Sequence, residues 1–128
     1  MRIATWNVNG IRARQQQVLE WITSDKPDIL ALQELKAPRD KVPDSLSEME
    51  DYWCYWHGER AYSGVGLLIR RNLSPEKPGF AHPEFDFETR IVTARLGNLV
   101  VNYTFSKRCG TMPQRAVNRA WILFCAAI

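Results

Sequence analysis

From Arg2 to Trp6 the side chains alternate, with Ile3 and Thr5 on one side of an extended chain and Ala4 and Trp6 on the other. Asn7-Val8-Asn9-Gly10 then breaks the run with turn-forming residues, so a strand followed by a loop is expected. Between Arg14 and Ser24, Val18, Leu19 and Ile22 recur at the three-and-four spacing of an amphipathic helix, which Asp25-Lys26-Pro27 ends. Within Asp28 to Gln33, the run Ile29-Leu30-Ala31-Leu32 is short enough for a buried strand and is bounded by Pro27 and Glu34. The opening of the chain therefore reads as a strand-helix-strand unit.

Further on, Pro43 to Glu50 suits a short helix through Leu46 and Met49, and Tyr52 to Trp56 suits an aromatic strand. Gly64 to Ile69 reads as another strand, and the charged, Pro-rich stretch from Arg70 to Pro83 as an exposed excursion. Ile91 to Leu96 and Leu99 to Tyr103 flank Gly97-Asn98, the spacing of a two-residue hairpin turn. About six strands and one or two helices are expected, with no internal repeat and no linker dividing the chain.

A hydrophobic content of 45% and five tryptophans can fill one core in a chain of 128 residues, which excludes wholesale disorder. The net charge of +3 permits a polyanionic partner without indicating one. Cys54, Cys109 and Cys125 are odd in number and widely spaced, which implies neither a disulfide framework nor a zinc site and makes a reducing cytoplasm the expected compartment. The strand pattern begins within three residues of Met1, so no signal segment is expected. The apolar stretch from Ala120 to Ile128 is far shorter than the roughly 20 residues that span a bilayer, so no membrane partner is expected.

Glu34 follows the buried run directly, where side chains project into the crevice outside the strand ends of layered α/β proteins. A carboxylate there suits a hard cation, since Mg²⁺ takes oxygen ligands and is held by one or two carboxylates plus waters and substrate phosphate. The same position suits a solvated glutamate. Asn7 and Asn9 follow the first strand, where their amides can orient a phosphate or a metal-bound water, or simply make a turn with Gly10. Arg12, Arg14, Lys36 and Arg39 follow the same strand ends and read either as a backbone-binding groove or as solvated surface. Tyr62, before a Gly-initiated strand, reads more readily as a packing residue than as a contact. His57 and His82 have no partner at a recognisable spacing, so neither is assigned a catalytic role.

The segments Thr5-Trp6-Asn7-Val8-Asn9-Gly10-Ile11-Arg12, Leu32-Gln33-Glu34-Leu35-Lys36, Tyr62-Ser63-Gly64-Val65-Gly66 and Phe87-Glu88-Thr89-Arg90, in that order and spacing, resemble the exonuclease III and apurinic endonuclease family of the endonuclease/exonuclease/phosphatase superfamily. The resemblance implies an α/β (α+β) fold, a four-layered α/β-sandwich of the DNase I-like type of which this chain covers about the first half. It implies metal-assisted phosphodiester hydrolysis with Mg²⁺ or Mn²⁺, on double-stranded DNA at abasic sites or 3′ ends. By the same resemblance Glu34 binds the metal with Asn7 beside it at the active centre, and Arg90 reaches a DNA phosphate with Asn9 nearby.

The likeness runs from Met1 to about Asn102 and stops there. The family also carries an Asp-x-Asn block and a Ser-Asp-His block, and neither occurs between Val101 and Ile128. Its tyrosine, normally followed by Pro-Asn-Gly, is matched by Tyr103, here followed by Thr104-Phe105-Ser106-Lys107. Residues 1–102 are thus expected to form the N-terminal half of an endonuclease/exonuclease/phosphatase domain, and 103–128 a frameshifted or divergent tail. A frameshift is suggested by Ser106-Lys107-Arg108-Cys109, which back-translates to TCC AAA CGG TGC, with Pro-Asn-Gly in the next frame. A divergent tail would place a helix over Pro113 to Ala127, with Val117, Trp121, Ile122 and Cys125 as its apolar face. The expected protein is a truncated exodeoxyribonuclease III-like repair nuclease, inactive alone. The alternatives are a non-catalytic DNA- or phosphate-binding module and a phosphatase or phosphodiesterase of the same superfamily.

Overall fold

The expected strand-helix-strand unit is present in the computed structural model, which describes residues 1–107 and 118–126. Strands β1 (Ile3–Asn7) and β2 (Ile29–Gln33) run parallel, in register from Ile3 opposite Ile29 to Asn7 opposite Gln33, and α1 (Ile11–Asp25) joins them. β2 is buried at every position, as its continuous apolar run demands of a strand covered on both faces. Helix α1 starts at Ile11 rather than at Arg14, because the N–H groups of Gly10 and Ile11 donate to the carbonyls of Glu34 (2.8 Å) and Leu35 (2.9 Å). These tertiary acceptors stand in for a capping side chain. The helix ends where Lys26 turns left-handed and returns its N–H to the Ile22 carbonyl, with Pro27 next.

A 3₁₀ turn (Arg39–Lys41) and a single-turn helix α2 (Asp44–Ser47) replace the longer helix expected over Pro43 to Glu50, anchored by buried Leu46. Strands β3 (Tyr52–His57) and β4 (Val65–Arg70) pair antiparallel and complete a sheet of order β1-β2-β4-β3. Gly66 of β4 lies under the ring of Trp56, where an added Cβ would come within 2.5 Å of the indole.

The second sheet has the order β5-β6-β7-β8, all antiparallel. Its centre is the expected hairpin, β6 (Ile91–Leu96) and β7 (Leu99–Lys107), turning at Gly97-Asn98 with Gly97 at φ 59°. β5 (Gly79–Ala81) lies inside the stretch expected to be an exposed excursion and is a strand only because it pairs with β6. The helix expected over Pro113 to Ala127 is not formed across its described part: β8 (Asn118–Ala126) is a strand, and 113–117 and 127 lie outside the described residues. Trp121 to Cys125 is rich in residues that favour extended chain, and β7 offers an edge to pair with. β7 itself continues without a break through Asn102.

Two cores order the layers. Val18 and Ile22 of α1 and Leu46 of α2 pack on Leu30, Leu32 and Leu68 of the first sheet. The opposite face of that sheet, through Ile29, Ala31, Val65, Leu67 and Ile69, meets Val92, Ala94, Val101, Tyr103 and Phe105 of the second. The stack is helices, sheet, sheet, with no helix among the described residues on the outer face of the second sheet. Among those residues no helix is long and apolar enough to cross a membrane.

Candidate functional site

At one end of the first sheet the backbone leaves regular strand geometry without losing its hydrogen bonds. Val8 N–H donates to Gln33 O (3.0 Å), Leu35 N–H to Gly64 O (3.1 Å) and Lys36 N–H to Ser63 O (2.8 Å). The loops after β1 and β2 and the entry to β4 are thereby stitched together. They contain Asn9 (φ 46°), Glu34 (φ 52°), Lys36 (φ 51°) and Ser63 (φ 57°), all left-handed, beside Gly10 (φ 105°) and Gly64 (φ 91°). Left-handed backbone costs an ordinary L-residue about 1–2 kcal/mol, so its concentration at one sheet end marks loops held in place by their surroundings.

This backbone turns Glu34 inward until its residue is 8% exposed. Its Oε2 lies 3.7 Å from Lys36 Nζ, which also donates to Asn9 Oδ1. Asn7 Oδ1 accepts the Asn9 N–H at 3.1 Å, so part of the Asn7 amide builds the turn that sequence alone left open. From the loop before β6, Arg90 reaches the same place. A pocket of about 90 Å³ is lined by Glu34, Lys36, Tyr62, Ser63, Arg90 and Phe105. Arg90 Nε is 2.6 Å from Glu88 Oε2, and its Nη2 donates to the Tyr62 hydroxyl at 3.2 Å. Ser63 Oγ is buried in this pocket with no hydrogen-bond partner.

Glu34 and Arg90 are thus brought together, Lys36 is drawn in as a partner of Glu34, and Asn9 joins through Lys36. Asn7 is the last residue of β1 and does not line the pocket. Tyr62, expected to pack, is 60% exposed and borders the cavity. Tyr103 is wholly buried between the sheets and stays out of the pocket. Arg12, Arg14 and Arg39 are surface residues.

Among the described residues there is no group of three His, Cys, Asp or Glu placed to hold a metal. That excludes a closed zinc-type cage there but fits a hard cation, which one carboxylate, waters and substrate phosphate can hold. The ammonium of Lys36 beside Glu34 already shows where that carboxylate accepts positive charge. The buried Ser63 hydroxyl without a protein partner in the same pocket fits an oxygen-rich ligand.

Sequence reasoning missed a second cluster behind Arg90. His57 and His82, read as unpartnered, are both partnered: His57 Nε2 is 3.0 Å from Asp86 Oδ2, His82 stacks on His57 at 3.8 Å, and His82 Nδ1 is 2.7 Å from the Tyr55 hydroxyl. Burial and the neighbouring His82 lower the pKa of His57, against the opposing pull of Asp86. The available signal was strand alternation, which puts Trp53, Tyr55 and His57 on the face of β3 opposite Tyr52, Cys54 and Trp56. No spacing rule points to Asp86, on a distant loop.

Residues 4–126 match the Endonuclease/Exonuclease/phosphatase family. The chain is 36% identical over 99 residues to the DNA repair nuclease APEX1 of Danio rerio, covering 73% of this chain and 32% of that protein. It is 32% identical over 96 residues to the exodeoxyribonuclease III of Haemophilus influenzae, covering 75% and 36%. The 3′ phosphatase NExo from Neisseria, solved bound to a product DNA hairpin, superposes with a TM-score of 0.65 at 36% identity, over 80% of this chain and 40% of that one. The chain spans about a third of the length of these curated relatives.

Proposed function

Because the chain belongs to the Endonuclease/Exonuclease/phosphatase family, we propose that it carries the cation- and phosphate-holding part of a DNA repair nuclease of the exonuclease III and apurinic endonuclease type. The observation that carries this reading is the convergence of Glu34 with Lys36, Tyr62 with Ser63, and Arg90 on one pocket from three separate stretches of chain. Glu34, with Asn7 beside it, would hold Mg²⁺, for which Mn²⁺ substitutes. When bound, the cation supplies Lewis-acid polarisation of the phosphodiester and neutralises charge on its oxygens. Arg90 offers a guanidinium fork to a phosphate oxygen, and Ser63 and Asn9 add neutral hydrogen bonds. At about 90 Å³ the pocket has room for a phosphate group.

The substrate in this reading is double-stranded DNA at an abasic site or a 3′ end. The relatives support it: one is a DNA repair nuclease, one an exodeoxyribonuclease III, and one was solved with a DNA hairpin product. These 128 residues carry no Asp-x-Asn and no Ser-Asp-His block to activate water and protonate the leaving oxygen, so the chain alone is expected to bind without turnover.

Mn²⁺ titration of the purified chain, followed by the spectrum of free Mn²⁺, should show one weak site that Glu34→Ala removes. Duplex DNA carrying an abasic analogue should bind with salt-sensitive affinity, and Arg90→Ala should weaken it about tenfold. No cation site, or one indifferent to Glu34→Ala, would sink the metal assignment. Mg²⁺-dependent cleavage of abasic DNA that Glu34→Ala abolishes would overturn the expected inactivity. The missing blocks favour a second reading as a non-catalytic phosphate-binding module, for which duplex binding, repeated with and without Mg²⁺, would be indifferent to the cation. A phosphatase of the same superfamily would release inorganic phosphate from a 3′-phosphorylated end.

A further inference from the structure

Asp86 is the interior post around which the loop before β6 is wound. Its Oδ2 accepts the N–H of Arg90 at 2.8 Å and of Ile91 at 2.6 Å, its carbonyl accepts the Thr89 N–H, and its own N–H donates to Pro83 O. Thr89 is buried and left-handed at φ 53°, so the winding is held against the local preference of the chain. The residue that emerges from this winding is Arg90, whose side chain, 12% exposed, lines the pocket with Glu34.

The side chain that meets Asp86 is His57, from the end of β3. Its Nε2 is 3.0 Å from the same Oδ2, and the two side chains are 7% and 4% exposed. A carboxylate that already receives two backbone N–H groups acts as acceptor, so Nε2 carries the proton and donates. His82, stacked on the ring at 3.8 Å and 15° and joined to the Tyr55 hydroxyl, fixes the plane of the imidazole from its other side.

We propose that His57 is a positioning residue for Arg90: by donating to Asp86 it fixes the carboxylate that holds the Arg90 and Ile91 backbone, and so sets where the guanidinium meets a substrate phosphate. The role in substrate binding rests on the functional reading above. The positioning of Arg90 rests on the hydrogen bonds alone. Tyr55, His82 and Asp86 form a path from β3 and the chain after β5 to the site, and none of them lines the pocket with Glu34.

The test is a double-mutant cycle on the full chain, read by anisotropy of a labelled duplex carrying an abasic analogue, together with amide exchange at Arg90 and Ile91 followed by NMR. His57→Phe keeps a ring but removes the donor, and should weaken binding about fivefold, the scale of one ordinary hydrogen bond. In the Arg90→Ala background it should cost nothing further. His57→Gln, which can present an amide N–H near the Nε2 position, should restore most of the affinity. Exchange of the Arg90 and Ile91 amides should quicken in His57→Phe and slow again in His57→Gln.

Losses that add across the cycle, or wild-type affinity in His57→Phe where Arg90→Ala is impaired, overturn the proposal. If His57→Phe does not fold, Asp86→Asn takes its place in the cycle with the same expectation. If the wild-type chain binds no DNA, or Arg90→Ala changes nothing, the functional reading fails. The exchange data then decide alone, with unchanged Arg90 and Ile91 amides overturning the positioning role and faster ones upholding it.

Discussion

Glu34 is held in a backbone conformation that glutamate disfavours, with its carboxylate turned toward Lys36. Its identity as a candidate was legible because Leu32-Gln33-Glu34 is contiguous in sequence, and Arg90 was legible from Phe87-Glu88-Thr89-Arg90 for the same reason. The His57 and Asp86 pair was not, since the contact exists only once β3 and the loop before β6 are folded against each other. Its titration has a calculable sign. His57 has its pKa held below the ordinary 6.5, first by burial and then by His82. A base depressed in the folded state takes up protons on unfolding, so this contribution to stability is complete above about pH 6.5 and is lost as pH falls toward the folded value. Urea midpoints of the wild-type chain should therefore fall between about pH 7.5 and 5.5, and His57→Gln should flatten the decline. An identical slope in the variant would rule out His57 as its source.

Elements fixed by local chemistry were readable: the alternation of β1, the apolar run of β2 and the Gly97-Asn98 turn each specify their own geometry. Elements fixed by a partner were not. β5 has three residues and no strong pattern, and β6 makes it a strand. In β8, Trp121, Ile122 and Cys125 fit a helical face as well as a strand, and pairing with β7 decides between them. The pairing of β3 with β4 carries its own prediction. Because Gly66 lies flat under Trp56, Gly66→Ala forces the ring off its seat and should destabilise the chain by about 1–3 kcal/mol, the range for overpacking a core. Thermal unfolding would measure it, and Trp56→Leu in the same chain should recover part of the loss. Equal melting of wild type and Gly66→Ala would mean that the indole is not the obstacle.

For the molecule as a whole, the family and the helix, sheet, sheet order could be anticipated from the four motif blocks, whereas the pairing that carries β7 on into β8 could not. β1 and β3 are the outer strands of the first sheet, and on β1 Ile3 is 39% exposed beside exposed Thr5. An open strand edge with an apolar side chain is a template for another chain. Sedimentation velocity should show association that grows above roughly ten micromolar and that Ile3→Lys suppresses, a strictly monomeric chain at about 100 µM being the contrary result. The ring of left-handed residues around Glu34 sets a different limit, on the routes open to sequence change. Glycine at Asn9, Glu34, Lys36 or Ser63 would relax the backbone, yet each such replacement deletes a polar side chain at or beside the pocket. Selection for robustness and selection for the polar lining of that pocket therefore compete at the same four positions, and a variant evolved only to survive heat would be expected to lose that lining there first.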